Sequence, residues 1–574
     1  MRKIYLLVLS AQFIFSFSFA QQYEWAFNLG GDNEEITLAV TADANSNVFA
    51  TGSFTDSTDL DPSGNVHMVY GDGNDIFLAK YDTSGNYLWG FALGTGTINT
   101  IEKSQSLVCD NQGNVYVCGS IGGFVDADPG VGVSTLSAGG IQTAFVAKYS
   151  AAGNFLWAFS IPSTSNTNFN NVKLDGQGNI YVAGRLEGTA DLDPGSGTTN
   201  LTSYDYTDAL IAKYDANGNF LWAFNLGGGG LSDGAYDITV DGNNNVYIGG
   251  AITNLTDVDP GIGVAQINTS NTQVPFLGKY KSNGDYVWGI VMVPGDANDW
   301  IVSLTADTLG NIYAAGNFFG TADFDPSANT NNLTSTYAAT FFAKYDTSGN
   351  FIWAHSIEGG PSGVVPTRID YNKKYGWVYL TGHMDGNVDF DPSANNYIVN
   401  THGGYFDAFV AQYTMAGNIG WAFSIGVDSL FSEVTRSIKV LDNGDFYIGG
   451  QFGCDTADFN PYPGVNNLTS GGVVDAFVAK YYLDPTGSIP LTVKNNSVES
   501  FKIFPNPATD QLFIKSDHEN FSVSVNDLTG RKLMKEENKF SNQMLINVSS
   551  LQNGIYFIQI SNEKESVIRK FVKE

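Results

Sequence analysis

The sequence predicts an all-β chain built from seven copies of one unit, and three recurring markers carry that prediction. Tryptophan recurs in an L-W-A-F context at Trp25, Trp89, Trp157, Trp222, Trp288, Trp353 and Trp421, spaced 64 to 68 residues apart. D-x-D-P recurs with its two aspartates at Asp59 and Asp61, Asp126 and Asp128, Asp191 and Asp193, Asp257 and Asp259, Asp323 and Asp325, and Asp389 and Asp391. A seventh copy keeps Asp458 but has Asn460 in the second place. F-x-A-K-Y begins at Phe77, Phe145, Phe276, Phe341, Phe409 and Phe477, with Leu210 in the remaining copy. Three markers sharing a period of about 66 residues define a repeat architecture.

Each unit reads as four strands. Between F-x-A-K-Y and the tryptophan strand lies D-x-x-G-N, as at Asp82 to Asn86, where Asp opens the turn and Gly takes its left-handed position. The same chemistry joins an I-x-V-D strand to an N-V-Y-V-x-G strand, as at Asp110 to Asn114 and Asp307 to Asn311. Alternation such as Phe145, Ala147, Tyr149 against Val146, Lys148 has the period of two of a sheet. The array starts on a tryptophan strand (residues 24–29) that lacks its F-x-A-K-Y partner and stops on an F-x-A-K-Y strand (477–481) that lacks its tryptophan partner. Each end supplies what the other lacks, which predicts a closed seven-bladed β-propeller over residues 22–484 rather than an open solenoid.

Composition agrees. The 574 residues are 43% hydrophobic, enough for a core, but only 15% charged, with 65 glycines, which argues against a charged coiled coil. The 58 acidic and 28 basic side chains give a charge of −30, and such a chain repels phosphate backbones, so nucleic acid is not an expected partner. The acidity is local: residues 21–500 hold 49 acidic and 16 basic side chains, a net of −33, whereas 501–574 hold 9 and 10.

Residues 1–20 have Arg2 and Lys3, an apolar stretch, then Ser18 and Ala20 at small-residue positions, the layout of a secretory signal peptide. The alternative, a membrane anchor, is opposed by the polar residues Ser10, Gln12, Ser16 and Ser18 in the stretch. No later segment is apolar enough for a transmembrane helix. Three cysteines do not make a disulfide scaffold, although Cys109 and Cys118 sit on two arms of one hairpin, where a bridge is conceivable. A linker is expected over 485–500. After it, strands are expected over 511–515, 521–526, 532–536, 544–548, 555–561 and 566–573, a small C-terminal β-sandwich occupying 501–574.

The repeats resemble the bacterial β-propeller repeats of secreted proteins, most closely from Asp208 to Trp222 and from Asp475 to Tyr481. That resemblance implies fold and extracellular setting but no single activity. Residues 501–574 resemble the type IX secretion system sorting domain of Bacteroidota, through F-P-N-P-A-T-D from Phe504, D-L-T-G-R from Asp527, L-Q-N-G-I-Y-F from Leu551 and the terminal R-K-F-V-K from Arg569. The resemblance implies that the type IX machinery is a partner and that the protein reaches the outer-membrane surface or the medium. The bland alternative is an appended carbohydrate-binding sandwich.

Among candidate sites, the thirteen D-x-D-P aspartates named above offer paired carboxylates, so calcium is the one cofactor worth testing. The competing reading is structural: one Asp caps the turn and the other pairs with the F-x-A-K-Y lysine, present as Lys80, Lys148, Lys213, Lys279, Lys344 and Lys480, with Gln412 as the exception. The seven in-register tryptophans read as packing residues, whereas Trp300 and Trp377 break register and are candidates for surface recognition. The residue after the N-V-Y-V-x-G glycine varies: Ser53, Ser120, Arg185, Ala251, Asn317, His383, Gln451. Of these, Arg185 and His383 have the chemistry to face a ligand, against drift at a tolerant position. His67, His355 and His402 lack metal-ligand spacing. Asp307-Thr308-Leu309 and Asp428-Ser429-Leu430 resemble an O-glycosylation triplet. No nucleophile elbow, zinc-binding H-E-x-x-H, phosphate loop or dinucleotide fingerprint occurs. The sequence therefore favours a non-enzymatic surface scaffold binding an extracellular glycan or protein, with adhesion as one form of that role. The alternative is a polysaccharide lyase or glycoside hydrolase acting in an axial pocket.

Overall fold

A computed structural model describes residues 20–484 and 501–573, apart from 95–101, 231, 271, 293–298, 403–404, 427–431, 454–455, 462–464, 517–520, 527–531, 539–540, 542 and 562–565. The leader, the linker, the Asp428 triplet and the D-L-T-G-R motif lie outside the described residues. The described chain contains strands and turns and no helix. It divides into two compact units, one holding 21–461 and 465–483, the other the C-terminal residues.

Among the described residues the first unit contains seven four-stranded antiparallel sheets and five two-stranded ones. The strand sets of the first six run in chain order: Glu35–Ala42 to Tyr87–Leu93, Lys103–Cys109 to Phe155–Ile161, Asn166–Leu174 to Phe220–Leu226, Gly234–Val240 to Tyr286–Val291, Trp300–Ala306 to Phe351–Ile357, and Val364–Asn372 to Ile419–Ile425. The seventh contains Val434–Val440, Phe446–Gly453 and Val474–Asp484, and its fourth strand is Ala20–Leu29 from the start of the chain.

The recurring markers are the joints of this arrangement. In the D-x-x-G-N turn, Asp82 Oδ1 accepts the backbone N–H groups of Ser84 (2.8 Å) and Asn86 (2.9 Å), while Asn86 Nδ2 donates to Asp82 Oδ2 (2.9 Å). Gly85 sits at φ 82°, a left-handed conformation that glycine adopts without strain. The tyrosine of F-x-A-K-Y is fully buried, and its hydroxyl donates to the carbonyl of the residue between the two D-x-D-P aspartates. This holds in all seven sheets, from Tyr81 on Leu60 (2.9 Å) to Tyr481 on Phe459 (2.8 Å).

Junctions between sheets repeat as well, at five of the seven. Trp89 Nε1 and Lys80 Nζ of the first sheet both donate to Ala151 O in a hairpin turn of the second (3.1 and 3.2 Å). Matching pairs converge on Ser282 O, Thr347 O and Met415 O. Trp25 and Lys480 of the seventh sheet reach Thr83 O of the first (both 3.1 Å). Among the described residues two junctions lack this pair of bonds, that of the second sheet with the third and that of the sixth with the seventh, and the latter is informative. The sixth sheet faces the seventh, whose third and fourth strands come from opposite ends of the array and so are not joined by a hairpin. There the lysine is replaced by Gln412, and Trp421 Nε1 is buried without a partner among the described residues.

One expectation needs correction. The F-x-A-K-Y lysine does not pair with D-x-D-P: it pairs with the turn aspartate after the first strand, as in Lys80–Asp43 (2.9 Å), Lys148–Asp110 (3.7 Å) and Lys344–Asp307 (3.5 Å), while Lys480 meets Glu24 (2.8 Å). Cys109 and Cys118 are both free, because the register sets Cys109 opposite Val115 and Cys118 opposite Ser106.

The C-terminal unit has two antiparallel sheets, Phe501–Phe504, Gln511–Ser516 and Gln543–Asn547, then Lys532–Asn538, Phe521–Asn526, Gly554–Ser561 and Ser566–Lys573. Both contribute to one core, with Leu512, Val523, Ile546, Ile558 and Phe571 buried. The strand at 501–504 went unpredicted, since its four residues precede two prolines and show too little alternation to be read.

Candidate functional site

The first strand of each sheet lies against the first strand of the next, and that of the seventh lies against that of the first. Every one of these seven strands carries a β-bulge at the same place, which inserts one residue and re-aims its side chain. The inserted residues are Leu38, Gln105, Asn170 and Tyr236 in the first four sheets, then Val302, Thr367 and Arg436 in the last three. All seven line a single cavity of about 310 Å³, completed by Trp300, Val365, Pro366, Arg368 and His383.

Next to the bulges, the strands are tied by a belt of side-chain hydrogen bonds. Ser106 Oγ donates to Asn171 Oδ1 (3.3 Å), and Asn171 Nδ2 to Asp237 Oδ1 (2.5 Å). Ser303 Oγ and the Leu304 N–H both reach Asp237 Oδ2 (2.7 Å each), and Arg368 pairs with the same oxygen at 3.7 Å. Such a connected network fixes the strands that shape the cavity.

Three of the four residues singled out from the sequence meet here. Trp300 and His383 line the cavity. Arg185 lies over the ring of Tyr236 at 4.9 Å and donates from Nη2 to its hydroxyl. Trp377 does not join them: it stacks on Tyr375 (4.7 Å) and packs against an apolar cluster of the sixth and seventh sheets. Burial, with the nearby positive charge of Arg436, pushes the His383 imidazole down to about 4, so it is neutral at pH 7. Arg436 donates from both Nε (3.2 Å) and Nη2 (3.0 Å) to Gln451 Oε1. Tyr236, Arg368 and Arg436 were not picked out from the sequence. The signal existed in the residues that differ at one position of otherwise matching first strands, but a bulge interrupts the alternation by which that position would be aligned.

Larger cavities, of about 500 and 390 Å³, are grooves beside Trp222 and Trp157, each running along a D-x-D-P loop. Their recurrence between different sheets makes them a product of the repeat. The seven in-register tryptophans belong to these junctions; Trp25, Trp89, Trp157, Trp222 and Trp421 each stack on the phenylalanine two residues on.

The D-x-D-P aspartates are engaged with their own loops. Oδ1 of the first aspartate accepts the N–H groups two and eight residues on, at Asp59, Asp126, Asp191, Asp257, Asp323, Asp389 and Asp458 alike. Oδ1 of the second, at Asp61, Asp128, Asp193, Asp259, Asp325 and Asp391, accepts the N–H two residues on. No group of three or more His, Cys, Asp or Glu side chains able to hold a metal occurs among the described residues. In the first triplet, Asp307 is the buried cap of its turn. Asp323→Ala leaves the N–H groups of Asp325 and Asn331 without their acceptor and is expected to destabilise the unit by about 1–3 kcal/mol in urea unfolding. Melting is expected to ignore chelator; a drop with EDTA would return calcium to these loops.

No helix among the described residues is long and apolar enough to cross a membrane. Residues 502–574 match the family described as a secretion system C-terminal sorting domain. The chain is similar to an uncharacterised WD repeat-containing protein, L264, of Acanthamoeba polyphaga mimivirus, 25% identical over 80% of this chain and 38% of that protein. It is also similar to the regulatory protein FlaEY of Caulobacter vibrioides, 27% identical over 27% of this chain and 16% of that protein. This chain therefore spans well under half the length of either. Among solved structures it is similar to PorZ, a bacterial surface component of the type IX secretion system of Porphyromonas gingivalis (13% identity, 94% of this chain and 81% of that one, TM-score 0.20). Another is a member of the duf4221 family from Bacteroides vulgatus (8% identity, 81% and 99%, TM-score 0.31).

Proposed function

Because residues 502–574 are a secretion-system C-terminal sorting domain, which marks the protein for type IX secretion to the cell surface or the extracellular space, we propose that the N-terminal unit is a seven-bladed β-propeller presenting a non-enzymatic binding pocket outside the cell. The propeller reading is supported by the shared seventh sheet and by the Trp25 bond to Thr83, which links the last sheet to the first. The binding reading rests on one observation: the seven bulged positions that line the cavity carry seven different residues, within a frame that otherwise repeats. Repetition serves the fold, and its local suspension at a cavity serves recognition.

The enzymatic alternative draws support from Arg, His and Tyr at the same cavity. A glycoside hydrolase needs two carboxyl groups flanking the bond, and no Asp or Glu is among the residues lining the cavity. A glycan array probed with the full chain, run beside assays for reducing ends and unsaturated products, tests the reading. Binding that Trp300→Ala abolishes, without product release, is expected; release of product would establish the enzyme instead.

A further inference from the structure

The pocket's charge runs against that of the unit around it. Of the 16 basic side chains in residues 21–500, only Arg185, Arg368 and Arg436 are arginine. All three stand at this one cavity, Arg368 and Arg436 in its wall and Arg185 over the ring of its Tyr236. They come from the third, sixth and seventh sheets, so it is the fold that gathers them. Residues 21–500 carry a net charge of −33, so each had many carboxylates available. Among the described residues only Arg368 has one, Asp237, whose two oxygens are shared with Asn171, Ser303 and the Leu304 N–H. Arg436 rests on the neutral amide of Gln451 and Arg185 on the neutral phenol of Tyr236.

Two buried nitrogens here, Nε of Arg185 and Nδ1 of His383, have no hydrogen-bond partner among the described residues. Buried polar groups left in this state are costly unless something completes them. Guanidinium groups with neutral partners are the complement of a carboxylate, which can accept two parallel N–H bonds from one arginine. The remaining walls suit a ring: Tyr236 and Trp300 stand 6.3 Å apart between centroids, and about 310 Å³ is space for one ring-sized ligand.

We propose that this pocket binds a single carboxylate-bearing sugar ring, a uronate unit of an acidic glycan, with Arg436 in the wall taking the carboxylate, Trp300 and Tyr236 facing the ring, and Arg185 holding Tyr236 in place from behind. The proposal rests on the pocket-binding reading above and gives it a ligand class. Gly234 is part of the design. A Cβ there would come within 2.7 Å of Arg185 Nε and 3.4 Å of the Tyr236 ring, so its absence is what lets the guanidinium lie where it does.

Calorimetric titration of the full chain with glucuronate, galacturonate, glucose, galactose and glucose 6-sulfate tests this. A uronate is expected to bind at least about tenfold more tightly than the neutral sugars, as charge-assisted bonds require. Arg436→Gln and Gly234→Ala are each expected to weaken uronate binding at least about tenfold. Gly234→Ala alters no charge and meets Arg185 and Tyr236 first, so it decides the matter if Arg436→Gln fails to fold. Equal affinity for glucuronate and glucose, or tighter binding of the sulfate ester, overturns the carboxylate while leaving a sugar-binding pocket. Unchanged uronate affinity in a folded Gly234→Ala protein overturns the site. Silence towards all five sugars, together with silence on the glycan array, overturns this proposal and the binding reading with it.

Discussion

Deleting residues 23–29 is expected to abolish cooperative unfolding of the N-terminal unit, or to lower its melting temperature by well over ten degrees. These residues form most of the strand that pairs with Val474–Asp484 as the outer strand of the seventh sheet. Leu29 is fully buried and Phe27 nearly so, in one cluster with Phe77, Tyr81 and Val478 from the first and seventh sheets. The Phe27 ring lies 4.6 Å from that of Tyr81, Trp25 donates to Thr83 O, and Glu24 pairs with Lys480 at 2.8 Å. Losing a buried phenylalanine and a buried leucine costs about 3–5 and 2–5 kcal/mol as alanine substitutions. Deletion also strips the partner strand of its backbone pairing. Against a typical total stability of about 5–15 kcal/mol, that is most or all of it. Leu29→Ala provides the graded control: it keeps the pairing and should cost about 2–5 kcal/mol. A truncated protein that melts cooperatively at the wild-type temperature would show that the seventh sheet closes without this strand.

The markers that repeat are the ones the fold needs, and that is why the fold was legible. Tyrosine in F-x-A-K-Y holds the D-x-D-P loop in all seven sheets, tryptophan binds the next sheet's turn in five, and each position recurs because the same bond is made again and again. Even the exception was visible, since Gln412 stands where the following sheet has no hairpin to offer. The lysine's partner was misjudged because period alone places Lys80 in register with both Asp43 and Asp59, and only the pairing of strands chooses the former. Half of the site was legible for the opposite reason. Arg185, His383 and Trp300 stood out by breaking the repeat, and the structure brings them to one cavity. Trp377 broke register too, but to cover a turn beside Tyr375. The bulged residues were invisible because an inserted residue obeys no alternation, and the chain distance from Tyr236 to Arg436 says nothing about their sharing a wall.

Stability is expected to fall as pH rises from 6.5 to 8.5, and the cause is a second set of equivalent positions. Three residues before the bulge stand Glu35, Glu102, Asp233, Asp299 and Glu433, each at most 1% exposed. Burial pushes the Glu35 carboxyl up to about 8 and that of Asp233 to about 7. Each gains too little from its neighbours to offset desolvation: Glu35 accepts the Gly31 N–H at 2.9 Å, and Asp233 accepts Gly228 N–H (2.9 Å) and Thr253 Oγ1 (2.7 Å). An acid whose folded pKa is raised holds its proton better when folded. The stability it confers is complete below the unfolded value near 4 and is lost as pH climbs to the folded value, here 7 to 8. Buried His383, driven down to about 4, acts in the opposite sense, but only below pH 6.5, which sets the lower edge of the window. At about 1.4 kcal/mol per unit of pKa, the part of their titration that falls between pH 6.5 and 8.5 should cost about 2–3 kcal/mol for the two acids together. Glu35→Gln with Asp233→Asn preserves the shape and one acceptor oxygen on each side chain while removing the charge; after Asp233→Asn the remaining oxygen can keep the Gly228 N–H and the amide NH2 can donate to Thr253 Oγ1. The double variant is expected to melt a few degrees higher than the parent at pH 8 and to show a flatter dependence on pH, measured by calorimetry. A parent whose melting temperature rises from pH 6.5 to 8.5, or a variant that keeps the parent's slope, would mean that these carboxyls are ionised in the folded chain throughout.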